Sequence, residues 1–294
     1  MILNPAIIAL LVSSLIIAVL VLYASWYGAR IIAKWDLRSG SGLQLELERR
    51  TYLISTVIAY VFGFQLISLF LLVYTADSLC TLFAGAMCAA GTFQVNAYGY
   101  PLLLLKVLNF LLAGLWLILN HADNQAYDYP LIRKKYSFLL VIAPLIALES
   151  VLQALYFQGL RPDVITSCCG SLFSTDATSV AADLAALPEA AMRAVFFLSV
   201  AGSLALGSIV LISGRGGYAF AISQAAAFLI GIASVLSFIS PAVYELPTHH
   251  CPFCLLQKEY HYVGYLFYAL LFGGGVDDLP YYSYPLRMKH GEII

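Results

Sequence analysis

Apolar residues in this chain come in long uninterrupted runs, not in the alternating or three-to-four-residue patterns of water-soluble strands and helices. Runs of the roughly 20 residues that a helix needs to cross a hydrocarbon core fall at about 5–29, 52–74, 101–120, 137–158, 192–213, 218–244 and 255–275. They lack the period-two alternation of a membrane β-barrel, and in lipid each segment must satisfy its own backbone hydrogen bonds, so helices are the element they predict. The expected fold class is all-α integral membrane, with about seven transmembrane helices and residues 1–294 forming a single polytopic membrane domain.

Composition agrees with that pattern and narrows the functions it permits. The 294 residues are 62% apolar and 11% charged, with a mean hydropathy of +0.87, far from the balance of soluble domains. A net charge of -1 leaves no basic surface that could hold nucleic acid by neutralising phosphates. The absence of a Gly-rich phosphate loop argues against nucleotide hydrolysis.

Basic residues orient the spans, because they are retained on the cytoplasmic side of short loops. Arg30, Lys34, Arg38, Arg49, Arg50, Arg133, Lys134, Lys135, Arg215, Arg287 and Lys289 fall on one side, against Arg161, Arg193 and Lys258 on the other. This predicts an exterior N-terminus and a cytoplasmic C-terminus, in a membrane of the bacterial inner (cytoplasmic) type. The first run has no basic residue ahead of it and is too long for a cleaved signal, so it reads as a retained anchor. Residues 34–50 read as a solvated cytoplasmic loop, and residues 277–294 as an irregular tail.

With that topology the exterior, periplasmic-type loops are about 75–100, 159–191 and 245–254. They hold all six cysteines as the pairs Cys80 and Cys88, Cys168 and Cys169, and Cys251 and Cys254. Cysteines serving only as small apolar residues would be scattered through the spans, so their segregation points to chemistry or to disulfides. Cys80 and Cys88 bracket a short segment that a disulfide could close. A direct bond across the vicinal Cys168–Cys169 is strained, which favours cross-pairing, metal capture or exchange.

The segment Thr248-His249-His250-Cys251-Pro252-Phe253-Cys254 directly precedes the last apolar run. Proline suits the first turn of a helix, which predicts Cys251 as the N-cap of the seventh span, its thiolate stabilised by the helix dipole and free N–H groups. On such a helix Lys258 and His261 follow Cys254 by four and seven residues and share its face, tuning the thiol. His249 and His250 supply imidazoles for proton transfer or, with Cys251 and Cys254, for metal ligation.

The Cys-Pro-Phe-Cys sequence resembles the Cys-Pro-x-Cys of glutaredoxins and other disulfide oxidoreductases, and half of a zinc ribbon. A Cys-x-x-Cys at a helix end beside other exterior cysteines is also similar in logic to membrane disulfide-forming enzymes that reduce quinone and to vitamin K epoxide reductases. The surrounding sequence lacks the βαβ pattern of a thioredoxin fold, and seven spans with a third pair depart from those smaller membrane enzymes.

Two ionisable residues lie within predicted spans. Glu149 is deep in the fourth and Lys106 near the exterior end of the third, where the two could pair; intramembrane charges are functional candidates by default. Gln65, Asn109, Gln153 and Gln224 add polar positions suited to a quinone headgroup, a proton path or interhelical hydrogen bonds.

Three readings stay open. Among those that assign a chemistry, a thiol–disulfide relay leads: Cys251 attacks, Cys254 resolves, and Cys168 and Cys169, or Cys80 and Cys88, form the downstream pair, with quinone as a possible cofactor. A soft-metal binding or trafficking protein for copper, zinc or mercury is the alternative. In the third reading the chain is a non-catalytic subunit with structural disulfides. The expected partners are the bilayer, an exterior thioredoxin-like or metal-carrying protein, and other membrane subunits.

Overall fold

The computed structural model describes residues 3–36, 41–125, 129–166, 180–214 and 216–277, and among these all regular structure is helical. The Cys168–Cys169 doublet, Arg38, Arg215, Arg287 and Lys289 lie outside the described residues. The chain divides into two compact units. Met1–Leu72 with Asn96–Leu160 makes the first, and Val73–Val95 with Arg161–Ile294 the second.

The first unit contains α1 (Pro5–Lys34), most of α2 (Gly42–Ser78), α4 (Gly99–Asn124) and α5 (Ile132–Gln158); the six-residue α3 (Ala89–Gln94) belongs to the second. Helix α1 starts where it does because Pro5 has no N–H to lose in the first turn and the Asn4 side chain accepts the Ala6 N–H at 2.9 Å. Its buried stripe of Ile17, Val21, Ala24 and Ile31 packs into one core with Ile132, Tyr136, Leu139 and Ile142 of α5. The approach is close at Gly28, where a Cβ would sit 2.6 Å from Cδ1 of Tyr136. Trp116 of α4 joins this core edge-on to Phe62 at 5.1 Å, and its indole N–H donates to the Lys135 carbonyl.

Withdrawing a charge from water is tolerable only when the protein supplies its partners. Glu149 of α5 is buried and receives four donor contacts: Lys106 Nζ at 2.7 Å, Gln65 Nε2 at 2.9 and 2.7 Å, and Asn109 Nδ2 at 2.7 Å. Lys106 also donates to Gln153, whose own amide reaches back to the Leu10 carbonyl of α1 at 2.8 Å. The sequence-expected pair is therefore a network tying α1, α2, α4 and α5 together.

A second buried pair corrects one sequence assignment. Lys135, read from the sequence as a loop cation, is fully buried 2.7 Å from Asp123, and donates to Asn120. The other Asp123 oxygen accepts the Leu131 N–H just ahead of α5. Residues 42–50 likewise do not form a solvated loop. They are the opening turns of α2, with Gln44 and Leu47 buried.

The second unit holds α6 (Val180–Ala185), α7 (Glu189–Ser213), α8 (Gly217–Ser234), a π turn (Val235–Ile239), α9 (Ser240–Tyr244) and α10 (Val263–Asp277). Helices α8 and α9 run together through the π turn as one crossing-length segment, Gly217–Tyr244. In all, six helices among the described residues are long and apolar enough to span a membrane.

The expected seventh span is not one continuous helix. Cys254–Leu256 and Lys258–Tyr260 are separate 3-10 turns, His261 and Tyr262 take left-handed backbone at φ 53° and 56°, and α10 begins only at Val263. Gln257, Lys258, Glu259 and His261 crowd the start of that run, and such side chains favour the aqueous edge over hydrocarbon. At 15 residues α10 is about 22 Å long, short of a core about 30 Å thick.

Replacing Glu149 by Leu leaves Lys106 buried and unpaired, which should destabilise the chain by about 3–5 kcal/mol, while the E149L/K106M double variant should recover most of that loss. Thermal and denaturant unfolding of the purified protein in detergent checks both.

Candidate functional site

The thiols that come together lie far apart in the chain. Cys88 is the N-cap of α3, in extended backbone, and its Sγ is 3.6 Å from that of Cys251. With Cys254 they form a group whose sulfurs all lie within 4.8 Å of one another, all three buried. No disulfide joins Cys80 to Cys88; Cys80 sits in the 3-10 turn Cys80–Leu82 after α2.

Three local features carry Cys88 to this position. Gly85 takes φ 82°, and a Cβ there would come within 2.0 Å of the Thr166 carbonyl oxygen, so only glycine permits the turn. Asp77, in the last turns of α2, accepts the Ala89 N–H at 3.1 Å and the Gln257 side-chain amide at 3.3 Å. Gln257 also donates to the Met87 carbonyl at 2.7 Å. The residues on both sides of Cys88 are thus tied to Gln257, Met87 directly and Ala89 through Asp77, and Gln257 follows Cys254 by three positions.

The Cys251–Cys254 segment is held by side chains from the helices around it. Tyr244 donates its hydroxyl to the Cys251 carbonyl at 2.6 Å and Tyr268 to the Pro252 carbonyl at 2.9 Å. Val235, Leu236, Tyr244 and Leu255 form the apolar wall of the sulfur cluster.

The π turn explains how His250 is anchored. There the Ser240 N–H bonds to Val235, five residues back, so the carbonyl of Leu236 would need the N–H of residue 241. That residue is Pro241, which has none. His250 Nδ1 meets the orphaned oxygen at 2.7 Å. A carbonyl only accepts, so His250 carries its proton on Nδ1. The preceding His249 places Nε2 3.3 Å from Cys254 Sγ, with its ring edge-on to Tyr244 at 4.8 Å.

The electrostatics are asymmetric. Hydrogen bonds from the Cys254 and Cys88 thiols hold Cys251 well below the ordinary thiol value, outweighing the opposing effect of burial, with the N–H groups of Phe253 and Cys254 adding to them. Cys254, as donor to Cys251 and Cys88 and itself buried, is pushed up. Burial, together with neighbouring His250, holds His249 below the usual imidazole value.

The sequence-expected site is therefore redrawn in three respects. Cys251 does not cap a helix; its thiolate is stabilised by neighbouring thiols and a tight turn. Lys258 and His261 do not share a helical face with Cys254, since Cys254 and Lys258 lie in separate 3-10 turns and His261 takes left-handed backbone. Lys106 and Glu149 form their own network in the first unit. Tyr244, Tyr268, Asp77 and Gln257 went unforeseen; Pro241 inside an apolar run announces the helix irregularity next to Tyr244, and no local pattern points to the other three.

Comparison of the chain with protein-family models, curated proteins and solved structures finds no match.

Mild diamide oxidation should join Cys251 to either Cys88 or Cys254. The Q257A and D77A variants, which loosen the tie on Cys88, should shift the products severalfold toward Cys251–Cys254. Peptide mass spectrometry of the linked pairs reads the ratio directly.

Proposed function

We propose that this chain is an integral-membrane protein that binds a soft metal cation through Cys88, Cys251 and Cys254. The observation that supports this most strongly is the spacing of the sulfurs. Two thiolates on one tetrahedral ion at about 2.3 Å stand about 3.8 Å apart, close to the 3.6 Å between Cys88 and Cys251. Thiolates select soft ions such as copper(I), zinc or mercury(II) over calcium or magnesium. Burial of all three keeps competing water away from such a centre.

Topology supports a delivery or trafficking role at one face of the bilayer. The loops bearing Cys88 and Cys251 follow the second and sixth crossing-length helices, so both emerge on the same side. Arg30 and Lys34 end the first of these helices, and Arg49, Arg50, Arg133 and Lys134 come after the first and third, which supports a cytoplasmic position for them and an exterior one for the sulfur centre. A metal-carrying protein or another membrane subunit would exchange the ion there.

A second reading, the thiol–disulfide relay, is favoured by the asymmetry between Cys251 and Cys254. In it a dithiol of an exterior thioredoxin-like protein reduces a Cys251–Cys254 disulfide: one partner thiolate attacks Cys251 and releases Cys254, the second displaces Cys251 as the better-stabilised thiolate, and the partner leaves as a disulfide. A quinone then takes up the two electrons and two protons of the Cys251–Cys254 dithiol, the disulfide re-forms, and the relay starts again.

Metal analysis of the purified full-length protein separates the two. Soft metal at about one ion per chain, lost in C88S and C251S, supports the first reading; a metal-free chain whose cysteines cycle with quinone supports the second. Because Cys251 is held low, iodoacetamide labelling of wild-type protein should persist at acidic pH where ordinary thiols are protonated. The C251S variant should need a higher pH for the same rate, and an unchanged profile would remove Cys251 as the reactive thiol.

A further inference from the structure

Resting on the metal reading, we infer that the centre is four-coordinate, that His249 supplies the fourth ligand through Nε2, and that its ion is a divalent d10 cation of the zinc class.

Residual charge argues for a divalent ion. Three thiolates leave a net charge of -2 around a monovalent cation and -1 around a divalent one. The cluster lies among Val235, Leu236 and Leu255 with Cys88, Cys251 and Cys254 at 0%, 1% and 5% exposure. Excess charge is costly in such surroundings, so the divalent ion is preferred. A trigonal copper(I) site would be complete with three sulfurs, whereas zinc calls for a fourth donor and takes neutral imidazole readily.

Position selects His249. On one tetrahedral ion a thiolate and an imidazole nitrogen stand about 3.5 Å apart; His249 Nε2 is 3.3 Å from Cys254 Sγ, the sulfur through which it adjoins the group, while the mutual 4.8 Å spacing is that of the three cysteines. Tyr244 fixes both ligand-bearing stretches, with its ring against His249 and its hydroxyl on the Cys251 carbonyl. His250 is engaged elsewhere: its Nδ1–H closes the carbonyl that the π turn and Pro241 leave open. The orphaned carbonyl thereby anchors the backbone next to His249.

Cobalt(II) titration of the full-length protein in detergent, with zinc competition, tests the assignment. Wild type should bind one cobalt per chain with sulfur-to-cobalt charge transfer and the intense visible bands of a tetrahedral site. H249A should keep the charge transfer, lose much of the tetrahedral intensity and bind zinc at least about tenfold more weakly. H249C should restore affinity and gain charge-transfer intensity, which a merely structural role for His249 would not produce. Wild-type bands and affinity in H249A, or their loss in H250A alone, would overturn His249 while leaving the three-sulfur site standing. Tight copper(I) binding, indifferent to H249A and displacing cobalt, would overturn the divalent assignment. Absence of any metal uptake by wild type would instead remove the underlying reading.

Discussion

A polar group taken out of water inside this protein has to meet its partner there, because neither lipid nor an apolar core offers a substitute. That constraint organises both units. In the first, the Glu149 carboxylate is the node at which Lys106, Gln65 and Asn109 converge, and through Gln153 it reaches the α1 backbone. A carboxylate met by donors from two other helices admits few alternative registers, since any slip strands a charge.

The second unit applies the same rule to the backbone. Widening the α8 helix by one residue redirects the Ser240 N–H, and proline at the next position leaves the Leu236 oxygen without its helical donor. His250 fills the vacancy from a loop otherwise free to wander. Asp77 and Gln257 do the same for the approach to Cys88, with a half-buried carboxylate accepting the N–H that follows it. Three thiols are thus brought together by hydrogen bonds that involve none of them.

This arrangement bears on chemistry. A sulfur cluster held by its surroundings is preorganised, which under the proposed metal reading would lower the reorganisation needed for an ion to bind. Cys251 neighbours both other sulfurs, so the two proposed chemistries, metal ligation and disulfide exchange, would draw on one geometry.

Hydropathy alone made six of the spans legible, because crossing hydrocarbon demands a long apolar helix whatever it packs against. The pairing of Glu149 with Lys106 was legible for a related reason: few ionisable groups are buried at all, so the choice of partner is narrow. The Cys-Pro-Phe-Cys segment stood out by its residue types. Its local structure did not, since Pro252 is compatible with a helix start and equally with the turn actually adopted. Lys135 was misplaced because charge marks a loop only until a carboxylate such as Asp123 is found beside it. The convergence of Cys88 with Cys251 across 163 positions was decided by tertiary structure alone. It depends on a glycine turn, an unpaired carbonyl and a side-chain clamp, each of which acts through partners distant in sequence that no local pattern encodes.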